Sequence, residues 1–197
     1  MRKLVTTAFA TCITMVSALP TAAEDANGEY AVRGLGSVSC PQLISAVENP
    51  ENGTVEQYLS WTLGYITARS RLSDATFDSL PILDPNSVGG LVYNTCTANR
   101  EASVEAAVDA LIDFMEPIRV SQSSDTIRVV AEEQSIFIRR ETLNRVLNRV
   151  QELGFAVKIA QGEGVNLADS LQAFQEDRGL AVTRVPDTET LIALFLS

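Results

Sequence analysis

Cys40 and Cys96 constrain this chain more than any other feature of its sequence. A third cysteine, Cys12, falls in an opening stretch with the parts of a secretory signal peptide. Arg2 and Lys3 come first, an uncharged apolar or small run fills positions 4–19, and Pro20 and Thr21-Ala22-Ala23 lead to acidic Glu24-Asp25. That run of about 16 residues is short of the roughly 20 that span a bilayer. Residues 1–23 are therefore read as a cleaved leader, cut after Ala23, and no later stretch is apolar enough to cross a membrane. An even pair of cysteines then remains in an exported chain, which reads as a disulfide because the compartment is oxidising. Two free thiols are the alternative, and a two-cysteine metal site would lack its other ligands. A bridge closing a loop of roughly 57 residues would contribute about 4 kcal/mol by restricting the unfolded chain.

Composition narrows the function. The chain of 197 residues has no histidine, which removes imidazole-based triads, the usual zinc sites and histidine pH sensing. Fifteen basic against 25 acidic residues give a net charge of −10, the wrong sign for neutralising nucleic-acid phosphates. Loss of the leader would remove two positive charges and leave the rest more acidic still. The histidine-free, acidic composition and the leader suit a Gram-negative periplasm.

Two segments of different character follow an exposed start at residues 24–33. In residues 34–117 the apolar spacing predicts four helices. The first opens at Cys40 with Leu43, Ile44 and Val47 on one side, and ends at Asn49-Pro50. The second has Thr54 as N-cap with Gln57 in capping-box position, and carries Tyr58, Trp61 and Tyr65 to about position 71. The third covers about 87–99 and carries Cys96. The fourth covers 101–115, with Ala102, Ala106, Leu111 and Phe114 inward, and Pro117 stops it. Residues 118–125 contain the polar run Ser121-Gln122-Ser123-Ser124-Asp125, a linker composition. Residues 126–130 and 135–138 are β-branched or aromatic and predict a short hairpin, with one continuing helix as the alternative. Helical spacing then returns through Leu143, Val146, Leu147, Val150 and Leu153, closed by Gly154. Asn166 with Asp169 opens another helix, which Gly179 caps, and Asp187 or Thr188 opens the last. The expected fold is mainly α: a disulfide-stapled helical domain, a short hairpin, and a three-helix domain within 126–197.

The second segment resembles a known family. Leu147, Gln151, Leu153-Gly154-Phe155, Gly162, Leu171, Ala173-Phe174-Gln175, Gly179-Leu180, Thr183, Asp187 and Thr190-Leu191 follow the order and nearly the spacing of the peptidoglycan-binding domain that accompanies many cell-wall hydrolases. The resemblance implies a shallow surface for glycan or stem peptide, without catalysis, and peptidoglycan as partner. The side chains it singles out are Gln151, Phe155, Gln175, Arg178 and Thr183. Core packing or loop hydrogen bonding is the competing role for each except Arg178, which could meet a stem-peptide carboxylate through paired hydrogen bonds. Three loop positions depart from the family: Gln161-Gly162 for Asp-Gly, Val165 for a glycine, and Thr183-Arg184 for Thr-Gly. More loosely, Cys40-x-x-Leu43, Tyr58-Leu59-Ser60-Trp61 with Gly64-Tyr65, and Cys96 before Asn99 resemble small stapled periplasmic helical proteins. Those include acid-stress chaperones and the immunity proteins that block type VI toxins.

Catalytic and metal-binding patterns are not evident. Asp74, Asp78 and Asp84 lack calcium-loop spacing and read as a solvated acidic loop. Asp109/Asp113 and Glu132/Glu133 read as exposed faces, and Glu163 as a loop side chain. No nucleophile elbow or P-loop occurs, and Gly34-Leu35-Gly36 is a lone Gly-x-Gly. No cofactor is expected. Tyr58, Trp61 and Tyr65 share a face at i, i+3 and i+7. They read as core against Leu91, Val92 and Leu111, or as a partly exposed patch for a partner.

The sequence thus leads to an exported, non-enzymatic, peptidoglycan-binding adaptor. Its second domain would tether the stapled one to the wall and raise its local concentration there. The alternative is a periplasmic chaperone or immunity protein that acts through the stapled domain on a protein partner.

Overall fold

The computed structural model describes residues 25, 27, 29–50, 53–158 and 164–196. The leader with Cys12, and the loop residues Gln161, Gly162 and Glu163, lie outside the described residues. Those up to Ala31 form one unit and those from Val32 onward a second. In the first, the Asp25 carboxylate accepts the amide N–H groups of Asn27 and Glu29 at 2.8 and 3.0 Å. These bonds hold its pKa below the ordinary carboxylate value.

The second unit begins with a 3-10 turn at Gly34–Ser37. Four helices follow: α1 (Cys40–Glu48), α2 (Thr54–Leu72), α3 (Pro85–Ala98) and α4 (Val104–Phe114). The hairpin strands β1 (Thr126–Ala131) and β2 (Gln134–Arg139) come next, then α5 (Arg140–Glu152), α6 (Leu167–Arg178) and α7 (Thr188–Phe195). The fold is mainly helical with one short antiparallel hairpin, paired from Thr126↔Arg139 to Ala131↔Gln134. That pairing excludes the single continuing helix. Cys40 and Cys96 form a disulfide, and both are fully buried. It joins the first residue of α1 to the last turn of α3.

Local chemistry sets most helix ends. Asp84 accepts the Ser87 amide at 2.8 Å and Pro85 follows at the first helical position, so α3 starts two residues before the expected 87. Ser103 caps α4 through the Ala106 amide, which moves that helix start from 101 to 104. Asn166 and Asp187 cap α6 and α7 as the sequence predicts, and Gly154 and Gly179 adopt positive φ. Thr54 is not an N-cap. Gly53, at φ +78°, takes that place and its carbonyl accepts the Gln57 amide.

Burial of α4 is set by Val104, Ala107, Val108, Leu111 and Ile112, a face at i, i+3, i+4, i+7 and i+8. Ala106 and Phe114, expected inward, fall outside that stripe and are exposed. One hydrophobic cluster runs from Cys40 and Leu43 through Ile138 to Phe174 and Leu194. The stretch after α4 is anchored within it. Ile118 and Val120 are buried, Val120 exchanges backbone hydrogen bonds with Asp78, and Arg139 of β2 reaches the Asp78 carboxylate at 3.2 Å. Asp78 is thus half-buried and paired, not part of a solvated acidic loop.

The 3-10 turn has its own reason. Trp61 of α2 lies against it and donates its indole N–H to the Arg33 carbonyl at 3.1 Å. Gly36 is buried beneath this ring, and a Cβ there would stand 2.1 Å from Trp61 Cζ2. Only glycine fits. Gly36→Ala is expected to lower stability by about 1–3 kcal/mol through overpacking, read as a lower urea midpoint at unchanged slope. Gly64→Ala, on the exposed side of α2 with nothing within 4 Å of the new Cβ, is expected to raise stability by about 0.5–1 kcal/mol.

Candidate functional site

The residues indicated by the family resemblance separate into two groups. Phe155 follows the C-terminus of α5 and its ring meets Phe174 of α6 edge to face, with centroids 5.4 Å apart. Arg178, at the end of α6, lies over the same Phe174 ring with its guanidinium carbon 5.4 Å from the centroid. Phe174 is fully buried, Phe155 half-buried and Arg178 exposed. The three make a small ledge, a cation and an aromatic edge braced on one core ring. Arg178 also lies 3.4 Å from the neighbouring Asp177 carboxylate, and its charge suits the helix C-terminus. Gln151 is exposed one turn before Phe155. The loop beyond Phe155 is pinned at both ends. Lys158 bridges to Val165, the Asn166 amide donates to the Val157 carbonyl, and the Val157 amide donates to Ser170 Oγ.

Gln175 belongs to the interior, and half-buried Thr183 is bonded to it. Gln175 is fully buried. Its Nε2 donates toward Thr183 Oγ1, Thr190 Oγ1 and the Val185 carbonyl at 2.8–3.1 Å, and its Oε1 accepts the Arg184 amide at 2.9 Å. Thr183 in turn donates to the Asp187 carboxylate that caps α7. Both side chains are spent on holding the loop between α6 and α7 against the helices. The departure at Thr183-Arg184 has a physical account as well. Arg184 keeps the positive φ of +60° that a glycine would favour there. Its guanidinium pairs with Glu132 at the hairpin turn and with Asp169 on α6, so an arginine fastens three elements together. Glu132, read as part of an exposed face, is one end of that pairing.

The aromatic residues of α2 also divide. Tyr58 is buried between α1 and α3, and burial pushes its phenol pKa up. Trp61 and Tyr65 stack on the other side at 5.1 Å between centroids. The Tyr65 hydroxyl stands 2.7 Å from Glu105 Oε1 and 3.0 Å from Asp109 Oδ1 on α4, and donates its one proton into that pair. Burial first, then these acceptor bonds and charges, hold the phenol proton well above its ordinary pKa. Arg69 Nε lies 3.1 Å from the same Asp109 oxygen and its other end 3.6 Å from Asp113. Glu105 is buried and Asp109 half-buried, so the Asp109/Asp113 pair is not an exposed face throughout. Sequence reasoning missed Glu105, whose place at i−4 from Asp109 was the available signal.

Among the described residues no group of three or more His, Cys, Asp or Glu side chains could hold a metal ion. Among them, too, no helix is long and apolar enough to cross a membrane. The arrangement offers surfaces and braced side chains. Comparison of the chain with family models, curated proteins and solved structures finds no match.

Two outcomes check these assignments. Gln175→Leu strands the amide and hydroxyl groups it satisfied and is expected to cost about 2–3 kcal/mol in thermal or urea unfolding. Asp109, half-buried, has its folded pKa raised above the ordinary 3.8, first by desolvation, despite the Tyr65 bond and Arg69. A raised carboxyl pKa means that unfolding within that window releases a proton, so this contribution to stability grows as pH falls through it and is lost as pH rises. The stability difference between the wild-type chain and Asp109→Asn should therefore shift in the wild type's favour on acidification toward pH 3.8.

Proposed function

We propose that this chain is an exported, non-enzymatic binding protein of the periplasm. Its three-helix part, α5–α7, contacts peptidoglycan and tethers the disulfide-stapled helical domain to the wall. The observation that carries this reading is the ledge of Phe155, Phe174 and Arg178 beside the pinned loop after α5. An exposed guanidinium held on an aromatic ring is suited to the carboxylates of a stem peptide, with Phe155 and Gln151 offering apolar and amide contacts to a sugar or peptide edge. Gln175 and Thr183 support the ledge from beneath and do not touch the ligand. A leader, a disulfide and a module of this pattern all suit an oxidising envelope compartment.

A second reading, action on a protein partner through the stapled domain, is favoured by the apolar groove between α1, α2 and α3. The two are compatible, since a tether needs something to tether.

Co-sedimentation with purified sacculi tests the wall reading. The chain from Glu24 to Ser197 is expected to pellet with sacculi at low and at moderate salt. Arg178→Ala is expected to weaken retention about tenfold, the effect of losing roughly 1.4 kcal/mol of binding, with unchanged thermal unfolding. A wild-type chain that stays in the supernatant, or an Arg178→Ala chain that pellets equally well, contradicts the proposal.

A further inference from the structure

The groove between α1, α2 and α3 encloses about 260 Å³. Leu43, Tyr58, Thr62 and Val92 form its buried floor, and Leu59 and Gly90 stand in its walls. The space is below the roughly 300–1,000 Å³ of pockets that enclose a drug-sized ligand. It suits a few aliphatic side chains inserted from outside.

Two consecutive glycines, Gly89 and Gly90, interrupt α3 along this groove. Glycine inside a helix is unfavourable relative to alanine, because its backbone loses the most freedom on folding. Internal packing does not require either one. A Cβ at Gly90 would meet nothing within 4 Å, and one at Gly89 would only touch Leu59 Cδ1 at 3.9 Å. The pair instead leaves the α3 main chain bare, so that another backbone can approach closely.

The rim is acidic. The Tyr93 hydroxyl, itself at the groove, donates to Glu48 Oε1 at 3.0 Å and fixes that carboxylate at the edge. Glu56 follows the lining Val55, and Asp84 caps α3 two residues before the lining Asn86. The whole chain carries −10, which opposes a second copy of itself as occupant.

We propose that this groove docks an amphipathic, basic helix of a partner protein. Two or three aliphatic side chains at i, i+3 or i+4, and i+7 enter the groove, the partner backbone passes over Gly89 and Gly90, and flanking Lys or Arg side chains meet Glu48. This supplies the stapled domain with a partner chemistry and does not depend on whether α5–α7 bind the wall.

The test titrates the full chain, disulfide formed, with a short Leu/Lys amphipathic peptide and with its Leu/Glu counterpart. Amide shifts are followed by NMR. The expected result is saturable binding of the Leu/Lys peptide with shifts centred on Gly89, Gly90 and Val92. Gly90→Leu fills the groove where a Cβ has open space, and is expected to weaken binding at least tenfold without lowering the melting temperature. Glu48→Lys, at the rim, is expected to weaken the Leu/Lys peptide several-fold and favour Leu/Glu. Equal binding of both peptides, or undiminished binding to Gly90→Leu, would overturn the proposal. So would shifts scattered over the acidic surface, or self-association through the same amides.

Discussion

The Cys40–Cys96 bond is the constraint on which the helical half of this protein depends. It fastens the first turn of α1 to the last turn of α3 at a point where both sulfurs are fully buried. The helices it joins leave an open groove between them, floored by Leu43, Tyr58 and Val92. A domain that keeps such a space unfilled gives up part of the apolar burial that would otherwise stabilise it. A covalent tie across a long loop offsets that loss by limiting the unfolded chain. Trp61 closes the opposite side of α2, seated on Gly36, so that one face of the helix is packed tight while the other stays open.

The C-terminal half solves a different problem. A buried side chain organises the loop before α7. Gln175 bonds the Thr183 hydroxyl, the Val185 carbonyl and the Arg184 amide of the loop before α7, and the Thr190 hydroxyl of α7 itself. Arg184 ties that loop to the hairpin turn and to α6. Of the side chains that the family resemblance singled out, those left at the surface are Gln151, the edge of Phe155, and Arg178. Backbone bonds between Val120 and Asp78, and the Arg139–Asp78 pair, connect this half to the first.

Much of the fold was legible in the sequence because the signals are local. Asn166, Asp187, Gly154 and Gly179 each act on residues within one helical turn, and the β-branched runs flanking Glu132-Glu133 need only each other to pair. Non-local features were not legible. Nothing near Gly36 in the chain announces that a tryptophan 25 positions on will occupy its missing Cβ. The Asp78–Arg139 pair and the Tyr65–Glu105–Asp109 cluster likewise join distant segments, and read one by one those carboxylates pass for solvated charge. Ala106 and Phe114 were misplaced for a simpler reason. The phase of α4 is carried by Val104, Val108 and Leu111, and a face drawn through Ala106 does not coincide with that stripe. At the candidate site, the family resemblance pointed to ligand contact for Gln175 and Thr183 with loop hydrogen bonding as the competing role, and their hydrogen bonds place them in that second role, as the frame.

Native-state hydrogen exchange on the oxidised and the reduced chain, at equal pH and temperature, tests most directly whether the staple holds the groove helices together. Reduction should collapse protection across α1 and α3, including the amides of Leu43 and Val92, to a far greater extent than in α5 and α6. Equal protection of α1 and α3 in both forms would show that apolar packing alone suffices, and would contradict the account.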